Sequence, residues 1–318
     1  MKRVSWGLRR AGALAATVLL AASGATFALS GCDGTQEPAE QTPAEQPAGD
    51  DAGQTDDATD VTQELVDPSD VAAATEEVRT AVGIDGYTLT IDTLAVDEAG
   101  FGRATYELTG PNVGALRGEG GALSFGGADV GLDDLQMRTA TDGRPNLVCT
   151  YDDASTDDAL RGTIYFDARS YEEVAGALSW QLLFHDGDTS EGSGQVTTSP
   201  VTPAKVLGAR HFTDGDAATA TLGPLGLALS TGVDTETGQF VDDLVALHLK
   251  DGTEVVVFDA SDPSAGTSLL QSARPDGSTS YALPEGVDVM SVKSITLEGR
   301  KLSTAGEEAV SYTFTSAA

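Results

Sequence analysis

Two cysteines, three histidines and two tryptophans are all that the 318 residues contain. Two cysteines allow one disulfide at most, which excludes a cysteine-stapled scaffold and a four-cysteine zinc site. His185, His211 and His248 lie far apart, with no His-x-x-x-His or Glu-x-x-His pair among them. A zinc site or a serine-histidine-aspartate set would therefore need convergence in space. Basic residues are also scarce, 18 Lys and Arg against 50 Asp and Glu, for a net charge of −32. Such an excess repels phosphate and argues against nucleic acid or an anionic membrane surface as partner. Glycine is abundant, yet "GEGGALSFGGADVG" (118–131) lacks the Lys-Ser/Thr ending and following helix of a phosphate loop. It reads as a flexible hairpin or long loop.

What is there begins with charge of the rare sign. Lys2, Arg3, Arg9 and Arg10 open the chain with no acid among them, and residues 11–29 carry no charge at all. A basic start, an apolar stretch and then small residues is the layout of a secretory signal. The stretch is mostly Ala, Gly, Ser and Thr and is followed at once by acids, which makes it a weak permanent membrane span. Arg9-Arg10 also fits twin-arginine export.

Leu29-Ser30-Gly31-Cys32 resembles the bacterial lipobox: an aliphatic residue, two small ones, then cysteine. The resemblance implies a signal peptide over 1–31, a diacylglyceryl group on Cys32, and cleavage before that residue. The alternative is an ordinary cleaved signal with an incidental cysteine. Two acyl chains on one glycerol make a stable anchor where a single chain binds marginally, so the membrane would be a partner through Cys32. The implied location is the extracytoplasmic face of the cell membrane. Losing residues 1–31 removes four positive charges and no negative one, taking −32 to −36.

Residues 32–75 then read as a tether. They contain no Lys, Arg or aromatic residue, and "EPAEQTPAEQPAG" is a low-complexity tract. Such a segment buries too little apolar surface to offset its ordering entropy. The expectation is an acidic, disordered spacer, about 35 Å long as a coil and about 140 Å extended. An acidic tail for a basic partner is the functional alternative.

A short helix is expected next, because Val71, Ala74, Val78 and Val82 fall near one face of "DVAAATEEVRTAV". Beyond it the pattern has period two. Tyr87, Leu89 and Ile91 oppose Thr88, Thr90 and Asp92; Ala104, Tyr106 and Leu108 oppose Thr105 and Glu107; Trp180, Leu182 and Phe184 oppose Gln181 and His185. Turn signals separate the runs, and "ALHLKDGTEVVV" predicts a hairpin bending at Asp251-Gly252. Short strands at this spacing predict a mostly β chain of two tandem antiparallel β-sandwich domains. Pro200 and Pro203 interrupt the pattern and divide it into 76–199 and 200–318.

"DGYTLTIDTLAVDEAGFGRATYELTG", together with "LKDGTEVVVF" and "DVMSVKSITLEGRKL", resembles an uncharacterised Gram-positive extracytoplasmic β-domain family. That family occurs in anti-sigma-factor-like membrane proteins as paired Ig-like modules. The resemblance implies Ig-like sandwiches and a sensory or regulatory setting. This chain departs from the pattern in having a lipobox where those proteins have a transmembrane helix and a cytoplasmic part.

No cofactor is expected. "YDDASTDDAL", "HDGDTSEGSG" and "FTDGDAAT" gather carboxylates, but none fits the twelve-residue calcium loop; in the second, Asp186, Asp188 and Ser190 fit but Glu191 stands where glycine is needed. They read as solvated turns, with calcium the alternative. Cys149 shares a strand face with Leu147 and Tyr151 and reads as a buried hydrophobe. Trp180 reads as core, which argues against an exposed sugar-stacking platform. The functional expectation is non-enzymatic binding to a protein or glycan partner at the cell surface. The alternatives are a sensory or regulatory module, and a carbohydrate-binding or hydrolytic surface protein.

Overall fold

The structure is a computed structural model that describes residues 63–125, 130–139, 144–168, 174–185, 193–215, 218–233, 238–274 and 276–316. All of them belong to one compact unit. Cys32 and the signal stretch lie outside the described residues, as do 33–62 of the expected tether.

Residues 63–75, expected as the end of that tether, belong to the fold. Strand β1 (Glu64–Val66) is followed by one helical turn, α1 (Val71–Ala74). Asp70 caps the turn, its carboxylate accepting from Ala73 N at 3.0 Å. The helix expected through Val82 stops here, and strand β2 (Glu76–Ile84) replaces it. Val78, Thr80, Val82 and Ile84 turn inward in β2 while Glu77, Arg79, Ala81 and Gly83 are exposed. Val78 and Val82 fit periods of both four and two, and the β-branched residues around them favour the strand.

The first half continues with β3 (Tyr87–Val96), β4 (Phe101–Thr109), β5 (Leu132–Thr139), β6 (Asn146–Tyr151), β7 (Ala159–Asp167), β8 (Leu178–His185) and β9 (Ser193–Thr197). They form a five-stranded sheet, ordered β2-β3-β4-β7-β6, and a three-stranded one, β5-β8-β9. Every pairing is antiparallel. A bulge between Ile91 and Thr93 resets β3, so that Leu94 and Val96 follow Leu89 and Ile91 into the core. Both sheets contribute to one core, with Leu108, Ile164 and Phe166 from the first and Met137, Trp180 and Leu182 from the second.

The second half comprises β10 (Lys205–Leu207), β11 (Arg210–Asp214), β12 (Ala218–Leu222), β13 (Gly226–Ser230), β14 (Gly238–Leu249), β15 (Glu254–Asp259), β16 (Gln271–Ala273), β17 (Thr279–Ala282), β18 (Val292–Ser303) and β19 (Gly306–Ser316). Nine of them make one antiparallel sheet, ordered β15-β14-β18-β19-β11-β12-β13-β17-β16. Its centre is narrow: β11 meets β19 only at Phe212↔Ser316 and Thr213↔Thr315. Leu247, Ile295 and Phe314 from one side of this junction share a core with Phe212, Leu227 and Tyr281 from the other. β14 and β15 form the hairpin predicted around Asp251-Gly252.

A third apolar cluster joins the halves, with Ala74, Ala95, Ala99 and Phe101 against Leu207, Leu225 and Ala282. β1 also crosses the seam, running parallel to β10. Val201, between the two prolines of the expected boundary, exchanges backbone hydrogen bonds of 2.8 and 2.7 Å with Leu178.

Candidate functional site

Two places gather polar side chains. The first is the outer face of the five-stranded sheet. Register puts Thr93, Thr105, Thr163 and Thr150 side by side across β3, β4, β7 and β6. Thr93 and Thr105 join their hydroxyls at 2.7 Å. One step along, Arg161 clamps Glu107, its Nε at 2.8 Å and Nη2 at 2.5 Å from Oε1. Asp92, Tyr151 and Asp152 complete an open hollow of ≈ 320 Å³. Hydroxyls, carboxylates and one guanidinium can hydrogen-bond a polar ligand there, but the pair is exposed and worth little to stability.

The second place is the seam, where two aspartates are fully buried. Asp97 opens the β3–β4 turn. Its Oδ1 accepts from Ala99 N (3.1 Å) and Phe101 N (3.0 Å), its Oδ2 from Leu225 N (2.9 Å) and Gly226 N (3.2 Å). Burial pushes this carboxyl up to about 7, against the opposing pull of the four N–H donors. Asp167, at the end of β7, faces Arg274, whose Nη2 lies 2.7 Å from Oδ1 and Nε 3.3 Å from Oδ2. Ser280 Oγ donates to the same carboxylate. Arg274 also donates to Ala99 O at 2.9 Å and lies 5.5 Å from the centre of the Phe101 ring. These groups tie residues of the first half to the start of β13, to Arg274 just after β16, and to β17.

Asp97 is legible in the sequence as a turn residue. Nothing in its neighbourhood marks it, Asp167 or Arg274 as buried, because the partners across the seam, Leu225 and Gly226 for Asp97 and Arg274 for Asp167, are more than a hundred positions away.

The histidines are not brought together among the described residues. His211 Nδ1 lies 3.4 Å from Thr221 Oγ1; His248 Nε2 lies 2.8 Å from Thr296 Oγ1, and its Nδ1 3.4 Å from Glu254. The side chain of His185 lies outside the description. No group of three His, Cys, Asp or Glu among the described residues could hold a metal ion. Of the three acidic stretches, "YDDASTDDAL" is fully described, and its Asp152 caps its own turn through Ala154 N at 2.9 Å. Asp186, Asp188 and Glu191 lie outside the described residues. Cys149 is free and buried, and burial raises its thiol pKa far above the ordinary range. Trp180 is wholly buried, with its indole N–H unpartnered. No helix of the described residues is long and apolar enough to cross a membrane.

No family model matches the sequence, and no curated protein matches it. The fold resembles a crystal structure of a conserved domain protein from Bacillus anthracis, with a TM-score of 0.40 and 12% identity over 76% of this chain and 91% of the other. A likeness at that level carries no argument about function.

Proposed function

We propose that this chain is an extracytoplasmic protein held to a bacterial cell membrane by lipid on Cys32. It carries two tandem Ig-like sandwiches that act by binding a partner and not by catalysis. The observation that carries this reading is Leu29-Ser30-Gly31-Cys32, placed directly after a basic start and an uncharged stretch. The sandwich reading is supported by a separate core in each half, enclosed by antiparallel strands. The acidic residues 33–62 would hold both halves away from the bilayer.

Fractionation of cells producing Cys32→Ala tests the anchor. The natural chain should sediment with membranes, and the variant should appear in the soluble extracytoplasmic fraction or as an uncut precursor. A variant that partitions and migrates like the natural chain refutes the reading.

A further inference from the structure

Residues 63–75 lie across the place where the chain passes from the first half to the second. Gln63 Nε2 donates to Ala175 O in the first half at 2.5 Å and to Pro203 O in the connection at 3.1 Å. Glu64 N donates to Ala204 O at 2.8 Å and Gly208 N to Val66 O at 2.9 Å, so β1 is fastened at both ends of β10. Lys205 adds a clip: its Nζ donates to Ala73 O and its backbone N to Glu76 Oε1, each at 2.8 Å. Beneath, Ala74, Val66 and Val71 pack into the apolar cluster that joins the halves.

β10 has β1 on one side and the β3–β4 turn on the other. Asp97 bridges Leu207 in parallel, Glu98 N donates to Leu207 O at 2.9 Å, and Glu98 Oε2 accepts from Ala209 N at 2.8 Å. Asp97 is the aspartate whose carboxylate holds Leu225 N and Gly226 N across the seam. A continuous set of contacts therefore runs from β1 through β10 to the Asp97 turn.

The fastening is slight. β1 has three residues and one neighbouring strand, and Leu65 at its middle is 62% exposed. α1 is a single turn in which Ala74 alone is buried. β2, which follows directly, pairs with β3 at Glu76 and Glu77 and again from Thr80 to Ile84. Opening 63–75 breaks few bonds, whereas opening β2 breaks a long ladder, so local release stops at β2. A pull entering at residue 62 meets Gln63 and Glu64 first, then Val66, then Ala74. It loads the contacts in turn and not together.

We propose that residues 63–75 are a releasable strap: tension drawn through residue 62 peels β1 and α1 away, leaves both cores folded and loosens the seam around the Asp97 turn. The proposal rests on the role above, in which lipid on Cys32 fixes one end of the line of pull and a bound partner holds the other. It adds to that role a response to force.

The test stretches single molecules of the chain freed of residues 1–31, held at Cys32 and at the C-terminus. It needs no lipid, so its failure leaves the anchor standing, and failure of the anchor in fractionation leaves its result intact. The weakest rupture should come first, release no more than about 45 Å of chain, and re-form on relaxation, ahead of the larger ruptures of the two cores. Val66→Asp should remove that first step and keep the larger ones. Moving the handle to β2, with Cys32→Ser and Glu77→Cys, should do the same. In unstretched Val66→Asp, amide exchange at Leu225 and Gly226 should quicken at least tenfold, while Leu108 and Ile164 in the first core change less than twofold. A first rupture that is larger or absent overturns the proposal. So does a small step that survives Val66→Asp or the moved handle, unchanged exchange at Leu225 and Gly226, or equal acceleration at Leu108 and Ile164.

Discussion

Trp180 and Asp97 show how single side chains are fixed by alternation and by distant partners. Trp180 alternates with Gln181 and sits at 0% exposure beside Leu182. Trp180→Ala should cost roughly 3–5 kcal/mol through the cavity it leaves. In a chain freed of residues 1–31 it is the one tryptophan, so its emission should be blue and shielded from iodide; red, freely quenched emission would contradict its place in the core. Asp97 makes a pH-dependent contribution. Its folded pKa, about 7, lies above the ordinary carboxylate value near 3.8, so the folded state holds the proton longer. The contribution is full below about pH 4 and falls by about 1.4 kcal/mol per pH unit until it is lost through pH 7. Subtracting the denaturation free energy of Asp97→Asn from that of the natural chain between pH 4 and 8 should isolate this slope. A difference independent of pH would refute it. The variant should also be the less stable, because its amide nitrogen faces two backbone N–H donors.

At the scale of elements, strands were legible wherever apolar and polar residues alternate against one sheet face. β3, β4 and β8 follow that rule along most of their length, and the Asp251-Gly252 turn marks the bend of the β14–β15 hairpin. The reading failed at residues 71–84, where Val78 and Val82 satisfy two periods at once and local spacing cannot choose between them. It also missed β1, a three-residue strand whose reason for ordering is β10, about 140 positions away. Leu65→Asp, on the exposed side of β1, should therefore change the melting temperature little, whereas Val66→Asp, whose side chain packs against the cluster joining the halves, should lower it clearly. Equal effects would mean that β1 does not dock as described. The polar hollow was illegible for the same reason as β1. The row Thr93–Thr105–Thr163–Thr150 does not exist until β4 and β7, distant in sequence, are set in register.

For the whole molecule, the seam decides whether the halves are independent. Arg274→Ala removes the guanidinium facing buried Asp167 and should cost about 3–5 kcal/mol. Residues 76–199 and 200–318 expressed apart would each lose the third apolar cluster, and the first would also leave Asp97 without Leu225 N and Gly226 N. Each half keeps most of its core, the first losing buried Val206, and should fold, but with a lower melting temperature than the joined chain. Identical melting would show that the seam contributes nothing. Beyond the seam, the proposed role depends on where the molecule is held. Intact-mass spectrometry of the mature protein from membranes measures that most directly. The predicted result is a chain beginning at Cys32 with the mass of a diacylglyceryl group. A chain that begins at another residue and carries no acyl mass would contradict it.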